Sequence, residues 1–344
     1  MRCIDSTQET LLAWLDSPEA WSAQRAIEAA GVTPDVLRAQ LCTVTEDPGS
    51  AAHVVPIVTG ARIQASLPDD SVVIERWLLV RQGLDALSCA AIERLGDAAQ
   101  RLTCEEIASF VKDDQDALGM LRVSGIRFRE FAKLVTGRRF CAGLFCWDEC
   151  GLRRSWLAKA PVRAWAGFGR ALIEMGGLQP IIYPHVNPRR SSQRLEEPAI
   201  SLSYAAMAES LERRPDLRGF AAASWLWSPD THRVSPHLAA LSAPIVAHGG
   251  FVTTLGPASP DCGVFARSGT RRRLYEEGTF TPTVGLVLWP RGAMLDWWRA
   301  ATAGAQMESC PLADRDVACQ PKLVQCVRRP AFAKATAGNL RTRS

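Results

Sequence analysis

The sequence predicts an α/β protein of the α+β kind: a mixed sheet with flanking helices, preceded by a mostly helical N-terminal region. Three observations carry this. The first third shows the helix-opening pairs Ser17-Pro18 and Thr33-Pro34 ahead of periodic apolar segments. From about Gly137 the texture changes to short apolar runs separated by Gly and Pro, with helical stretches between them. A chain of 344 residues, 47% of them hydrophobic, is also long and apolar enough to bury an ordinary core. The expected organisation is a helical region over residues 1–135, an α/β domain over 136–303 and a loose tail over 304–344.

In chain order, Ser17-Pro18 opens a helix over Glu19 to Ala30 that Gly31 ends, and Thr33-Pro34 opens another. His53 to Val58 and Val72 to Val80 are β-branched runs bounded by Gly60, Pro68 and Gly83, and read as short strands. Leu84 to Leu102 is helical, and Thr103-Cys104-Glu105-Glu106 has capping-box spacing, so a helix restarts near Cys104 and runs toward Lys112. Arg127 to Val135 adds one more helix. The α/β half reads as strands at Pro180 to His185, Gly219 to Trp227, Phe251 to Leu255, Gly263 to Ala266 and Thr283 to Trp289. Helices alternate with them at Ser201 to Arg213, Pro236 to Ala247, Thr270 to Glu277 with Ser268 as N-cap, and Ala293 to Ala301.

Composition narrows the function classes. Asp5, Glu9 and Asp16 interrupt the first twenty residues, so no secretory signal is read, and a cytoplasmic protein is expected. The longest apolar stretches, Trp77 to Val80 and Val284 to Trp289, fall far short of the ~20 residues that cross a bilayer, and no membrane partner is expected. Residues 301–344 hold seven basic and three acidic residues, which accounts for the net charge of +4. The body before residue 301 is therefore neutral, which argues against nucleic acid as a partner. The count of eleven scattered cysteines is odd and reads as free thiols rather than a disulfide framework.

Four constellations bear on chemistry. Cys141, Cys146 and Cys150, with Asp148 and Glu149 adjacent, could in principle hold zinc or an iron–sulfur cluster. Their spacing matches no common motif, however, and Phe140, Leu144, Phe145 and Trp147 make the segment read as a buried strand or turn, so no metal is expected. His185, His232, His237 and His248 cluster in the α/β half, with His185 and His248 where elements meet Pro or Gly loops. Trp225-Leu226-Trp227-Ser228-Pro229-Asp230, followed by Ser235-Pro236-His237-Leu238, suits a pocket rim. Two indoles on one strand point to opposite faces, so the same residues also read as core and turn. Val264 to Phe280 reads as a strand, a capped helix start and a helix ending at Gly278, with Arg271 and Tyr275 one turn apart. Arginines near a helix N-terminus suit a phosphate or carboxylate; the bland reading is a solvated basic face.

Leu274-Tyr275-Glu276 and Gly278-x-Phe280 resemble the strand-five and helix-four region of the GNAT superfamily of acyl-CoA-dependent N-acyltransferases. The resemblance implies a GNAT-like C-terminal half in which Tyr275 protonates the departing CoA thiolate while a small amine attacks the thioester directly. With acyl-CoA as the cofactor, the leading reading takes Ser268, Arg271 and Arg272 as cofactor contacts, His237 as a second catalytic candidate, and Trp227, Asp230 and His185 as substrate contacts. The family's pyrophosphate turn, Arg/Gln-x-x-Gly-x-Gly/Ala, has no counterpart between Trp227 and His237. The longer run from Arg139 to Trp298 resembles a group of uncharacterised bacterial proteins, which implies no mechanism. The rival reading is a non-catalytic protein that binds a small molecule or a partner in the same cleft.

Overall fold

The computed structural model describes residues 2–29, 71–87, 90–112, 133–135, 137–187, 190, 195–259, 262–266 and 268–308. The strand expected at His53 to Val58, the helix opened by Thr33-Pro34, residues 127–132 and the tail beyond residue 308 lie outside them. Met1–Trp298 form one compact unit and Arg299–Ser344 a second, whose described residues are helical. The architecture of the first unit is α+β, a six-stranded mixed sheet with flanking helices, and its N-terminal region is mostly helical.

The N-terminal helices are α1 (Arg2–Leu15), α2 (Pro18–Ala29), α3 (Ser71–Leu87), α4 (Ala90–Glu93) and α5 (Asp97–Lys112). Ser17 caps α2 as its spacing predicts, its Oγ accepting the Ala20 amide at 3.3 Å. Two expectations are corrected here. Val72 to Val80 is not a strand but part of α3. Trp77, Val80, Gly83 and Leu87 are buried at the 3.6-residue period of a helix, and that apolar face outweighs the β preference of the Val and Ile in its first turns. Thr103 does not open a helix, because α5 begins at Asp97 and runs through it. Thr103 is instead buried in mid-helix, and its Oγ1 accepts the Cys141 amide of the first strand at 2.9 Å.

The sheet follows the order β1 (Arg139–Ala142), β2 (Phe145–Gly151), β3 (Pro180–Val186), β4 (Gly219–Ser224), β6 (Thr283–Pro290), β5 (Phe251–Pro257). Every neighbouring pair is antiparallel except β3 and β4, which run parallel and are joined by α8 (Glu197–Arg213). Between β2 and β3 lie α6 (Arg154–Lys159), a 3₁₀ turn (Val162–Ala164) and α7 (Trp165–Glu174). After β4 come a 3₁₀ turn (Trp225–Trp227), α9 (Pro229–Val234), a second 3₁₀ segment (Pro236–Leu241) and α10 (Ala243–Ala247). Helix α11 (Gly269–Glu276) links β5 to β6, and α12 (Arg291–Glu308) follows β6. The strand expected at Gly263 to Ala266 is a run of turns, because Gly263 takes a positive φ and its carbonyl accepts the Ala266 amide at 3.1 Å, which closes the segment on itself.

Alternation along the strands sorts the side chains onto two faces. One face presents Phe145, Phe220 and Trp289 to Tyr204 of α8, and this core continues without a break to Leu11, Val80 and Ile107 of the N-terminal helices. The other face presents Ile181, Ala221, Leu286 and Leu288 to Trp156 of α6, to Phe168 and Ala171 of α7, and to Met175 just past its end. Gly285 of β6 lies under the Trp225–Trp227 turn, where a Cβ would come within 2.3 Å of the Trp227 carbonyl; only glycine admits that approach. The start of α5 is capped from a distant part of the chain. The Glu209 carboxylate of α8 accepts the Asp97 and Ala98 amides at 2.8 and 3.4 Å.

That remote cap satisfies two amides no local residue reaches and places a negative charge at a helix N-terminus. Glu209→Ala is expected to lower the unfolding free energy by about 1–2 kcal/mol. Urea denaturation measures it, and an unchanged midpoint with unchanged slope contradicts the assignment.

Candidate functional site

The parallel junction is where the ladder is thinnest. Strands β3 and β4 share the single register pair Ile182 with Phe220, and toward their C-terminal ends no further pair forms. Three residues on from that pair stand His185 on β3 and Ala223 on β4. The Ala223 carbonyl accepts the Tyr183 hydroxyl at 3.2 Å. Crevices at the C-terminal ends of parallel strands, where the sheet changes direction, are the usual ligand positions in open α/β sheets.

The residues around this edge come from register. Antiparallel pairing of β2 with β3 sets Asp148 opposite Tyr183 and Cys146 opposite His185, so that all four project from the same face. Asp148 Oδ1 accepts Arg139 Nε at 2.6 Å; its Oδ2 accepts Arg139 Nη2 at 2.8 Å, Lys133 Nζ at 3.0 Å and His185 Nε2 at 3.1 Å. The Asp148 side chain is 19% exposed and that of His185 36%, so the pair stands at the boundary of protein and solvent. Tyr183 packs edge-on against the imidazole, with centroids 5.0 Å apart, and stacks on Trp156 at 5.9 Å.

Burial pushes the Asp148 carboxyl upward, but hydrogen bonds from His185 and Arg139 outweigh it and hold the group well below the usual carboxylate range. Burial lowers His185 below its ordinary 6.5, against the upward pull of the Asp148 hydrogen bond. The imidazole is therefore neutral at neutral pH. Donation from Nε2 to Asp148 fixes the tautomer that leaves a lone pair on Nδ1, and no hydrogen bond from the described residues reaches that atom. Burial also raises Tyr183, which keeps its phenolic proton. A neutral imidazole oriented by a carboxylate, with its far nitrogen open at a strand end, can accept a proton from a bound group.

The other candidates fall into a second cluster beyond the end of β4. Arg271 is buried there. Its Nε donates to the Val264 carbonyl at 2.7 Å, its Nη1 to Ser235 Oγ at 2.9 Å, and its guanidinium lies 4.9 Å from the Trp225 ring centroid. Ser268 caps α11 as expected, its Oγ accepting the Arg271 amide at 3.2 Å. Arg272 is exposed, and Tyr275 is 40% exposed with its ring 5.0 Å from that of Phe265. Trp227 is buried among Phe145, Tyr204 and Phe220, so its indole is core rather than rim. Asp230 accepts Thr283 Oγ1 at 2.8 Å and Arg233 Nη2 at 2.5 Å, bracing α9 against β6. His237 is exposed in the second 3₁₀ segment, and His232 donates from Nε2 to the Leu226 carbonyl at 2.8 Å.

Cys141 and Cys146 face each other across the β1–β2 hairpin, both buried, with their sulfurs 3.0 Å apart. Burial, then the nearby Asp148 charge, pushes the Cys150 thiol up to about 11. Among the described residues no group of three or more His, Cys, Asp or Glu side chains could hold a metal ion. Comparison with family models, with curated proteins and with solved structures finds no match to this chain.

The Asp148 carboxylate is the counter-charge of two buried cations, so Asp148→Asn is expected to cost roughly 3 kcal/mol at pH 7. Because the folded group titrates below its unfolded value, its contribution is full above pH ~4 and is lost as pH falls toward the folded value. Denaturation curves of wild type and variant should therefore converge in acid. A gap that stays constant from pH 7 to pH 3 contradicts the assignment.

Proposed function

We propose that the chain transfers an acyl group from a CoA thioester to a small amine, at the C-terminal edge of β3 and β4. The observation that carries this reading is the Asp148–His185 pair beside a parallel junction that ladders at one position only. Strand ends released from each other present backbone amides and carbonyls to an extended ligand. The pantetheine arm of CoA is such a ligand, with two amides spaced along a flexible chain.

In this reading His185 Nδ1 takes the proton of the attacking amine, and Asp148 stabilises the imidazolium that forms. The amine nitrogen bonds to the thioester carbonyl carbon, the carbon–sulfur bond breaks, and the thiolate leaves as the free thiol after taking a proton. The Tyr275 phenol, exposed on α11, is the donor the sequence resemblance assigns. Arg272 and His237, both exposed, are left to meet anionic or polar groups of the ligand. Arg271 acts one step back, holding the turn before His237 through Ser235.

A second reading, a non-catalytic binding protein using the same edge, is favoured by one observation. Arg271, Trp227 and Asp230 are all committed to internal partners.

Both readings are tested with the full chain by calorimetric titration with acetyl-CoA and by thiol release in the presence of an amine panel. Acyl transfer requires wild-type turnover that His185→Ala reduces about 10²–10⁴-fold with thioester affinity retained. The limb of the wild-type pH–rate profile that belongs to the imidazole should lie below pH 6.5, since burial lowers that group, while deprotonation of the amine raises the rate at higher pH. Binding without turnover on any amine moves the assignment to the second reading. Absence of binding removes acyl-CoA from both.

A further inference from the structure

The cover formed by α6, the Val162–Ala164 turn and α7 has two unlike faces. Trp156, Phe168, Ala171 and Met175 point inward and fill the contact with the sheet. The outer face keeps large apolar side chains in water: Val162 is 74% exposed, Trp165 50% and Ile173 82%, with Leu157 beside them in α6. The Trp165 indole donates to the Ala160 carbonyl at 3.0 Å, which lays the ring back over the α6–α7 turn next to Lys159 and Val162 in the chain.

The same stretch is strongly one-signed. From Gly151 to Ile173 the sequence holds five basic residues and no acidic one. Arg170 pairs with Glu174, the first acid after the stretch. Arg153, Arg154, Lys159 and Arg163 are exposed and meet no carboxylate among the described residues.

We infer that this outer face is a docking surface for an anionic lipid bilayer. Unpartnered cations set among an exposed Trp and aliphatic side chains match the headgroup boundary of a membrane, where phosphates take the charge and the acyl edge takes the apolar groups. A second copy of this chain fits poorly, because a two-fold contact through the face opposes four unpaired cations to four. A nucleic acid satisfies the cations but leaves Val162 and Ile173 in water. Among the described residues no helix is long and apolar enough to cross a membrane, so the contact lies on the surface. This inference stands apart from the acyl-transfer reading.

The test is co-sedimentation of the full chain with vesicles of phosphatidylcholine alone and of phosphatidylcholine mixed with phosphatidylserine, at rising salt, beside duplex DNA and RNA in a filter-binding assay. Expected are binding to the anionic vesicles, loss of that binding at high salt, and weak or no binding to neutral vesicles. Each headgroup-facing cation contributes about fivefold, so joint reversal (R153E, R154E, K159E, R163E) should weaken vesicle binding by at least roughly a hundredfold while leaving the thermal midpoint near wild type. A W165S/I173S pair should weaken binding with the charges intact. Equal binding to both vesicle types, or duplex binding in place of vesicle binding, overturns the inference. So does anionic-vesicle binding that survives the charge reversal, since it then comes from elsewhere, the basic stretch after residue 301 included.

Discussion

The constraint on which the rest of this structure depends is the single parallel junction at the centre of an otherwise antiparallel sheet. Hairpins can join every other neighbouring pair, but β3 and β4 can be joined only by a crossover, and α8 supplies it. That helix must then be held on the sheet, and Tyr204 holds it. The ring sits among Phe145, Phe220, Trp227 and Trp289, and its hydroxyl, fully buried, donates to the Leu241 carbonyl at 2.7 Å. One side chain thus fixes the crossover, two arms of the sheet and the excursion that follows β4. At its far end α8 reaches the N-terminal helices through Glu209 and Arg213, which bind the α4–α5 junction.

Much of the fold was legible in the sequence because burial imposes short periods. The central strands are β-branched or alanine-rich runs between glycines and prolines, and Ser17 and Ser268 both cap helices where their spacing places them. The misreadings share a cause. Val72 to Val80 has strand composition, yet its apolar spacing repeats every three to four residues, and period outweighs composition once the segment packs against other helices. Thr103 imitates a cap because its partner, the Cys141 amide, is 38 residues away in sequence. Gly263 to Ala266 is apolar enough for a strand, but the Ala266 amide bonds the Gly263 carbonyl and the segment closes into a turn.

The candidate site was harder to read for a related reason. His185 could be picked out from its place at a strand end, and Asp148 only as a neighbour of three cysteines. What joins them is the β2–β3 register, which puts Cys146-x-Asp148-x-Cys150 and Ile181-x-Tyr183-x-His185 on one face. The alternation is visible in each strand alone, but the register between them is set by the 28 residues that separate Gly151 from Pro180, and no local rule yields it. Conversely, Arg271 looks like an anion ligand in sequence because charge near a helix start suits one. The fold instead turns it inward, onto Ser235, Val264 and Trp225.

The arrangement around Asp148 also has an electrical character that none of its members has alone. Arg139 and Lys133 both bond the one Asp148 carboxylate, and the neutral His185 is held by the same Oδ2 as Lys133. Adding a proton to His185 sets a third positive charge around that carboxylate at the protein–solvent boundary, where the effective dielectric is well below that of water. A proton that reaches Nδ1 is therefore held loosely and passes on readily to an acceptor beside the strand ends. The edge of the sheet behaves as a proton valve, whose set point lies in how one carboxylate is shared among three donors beneath it.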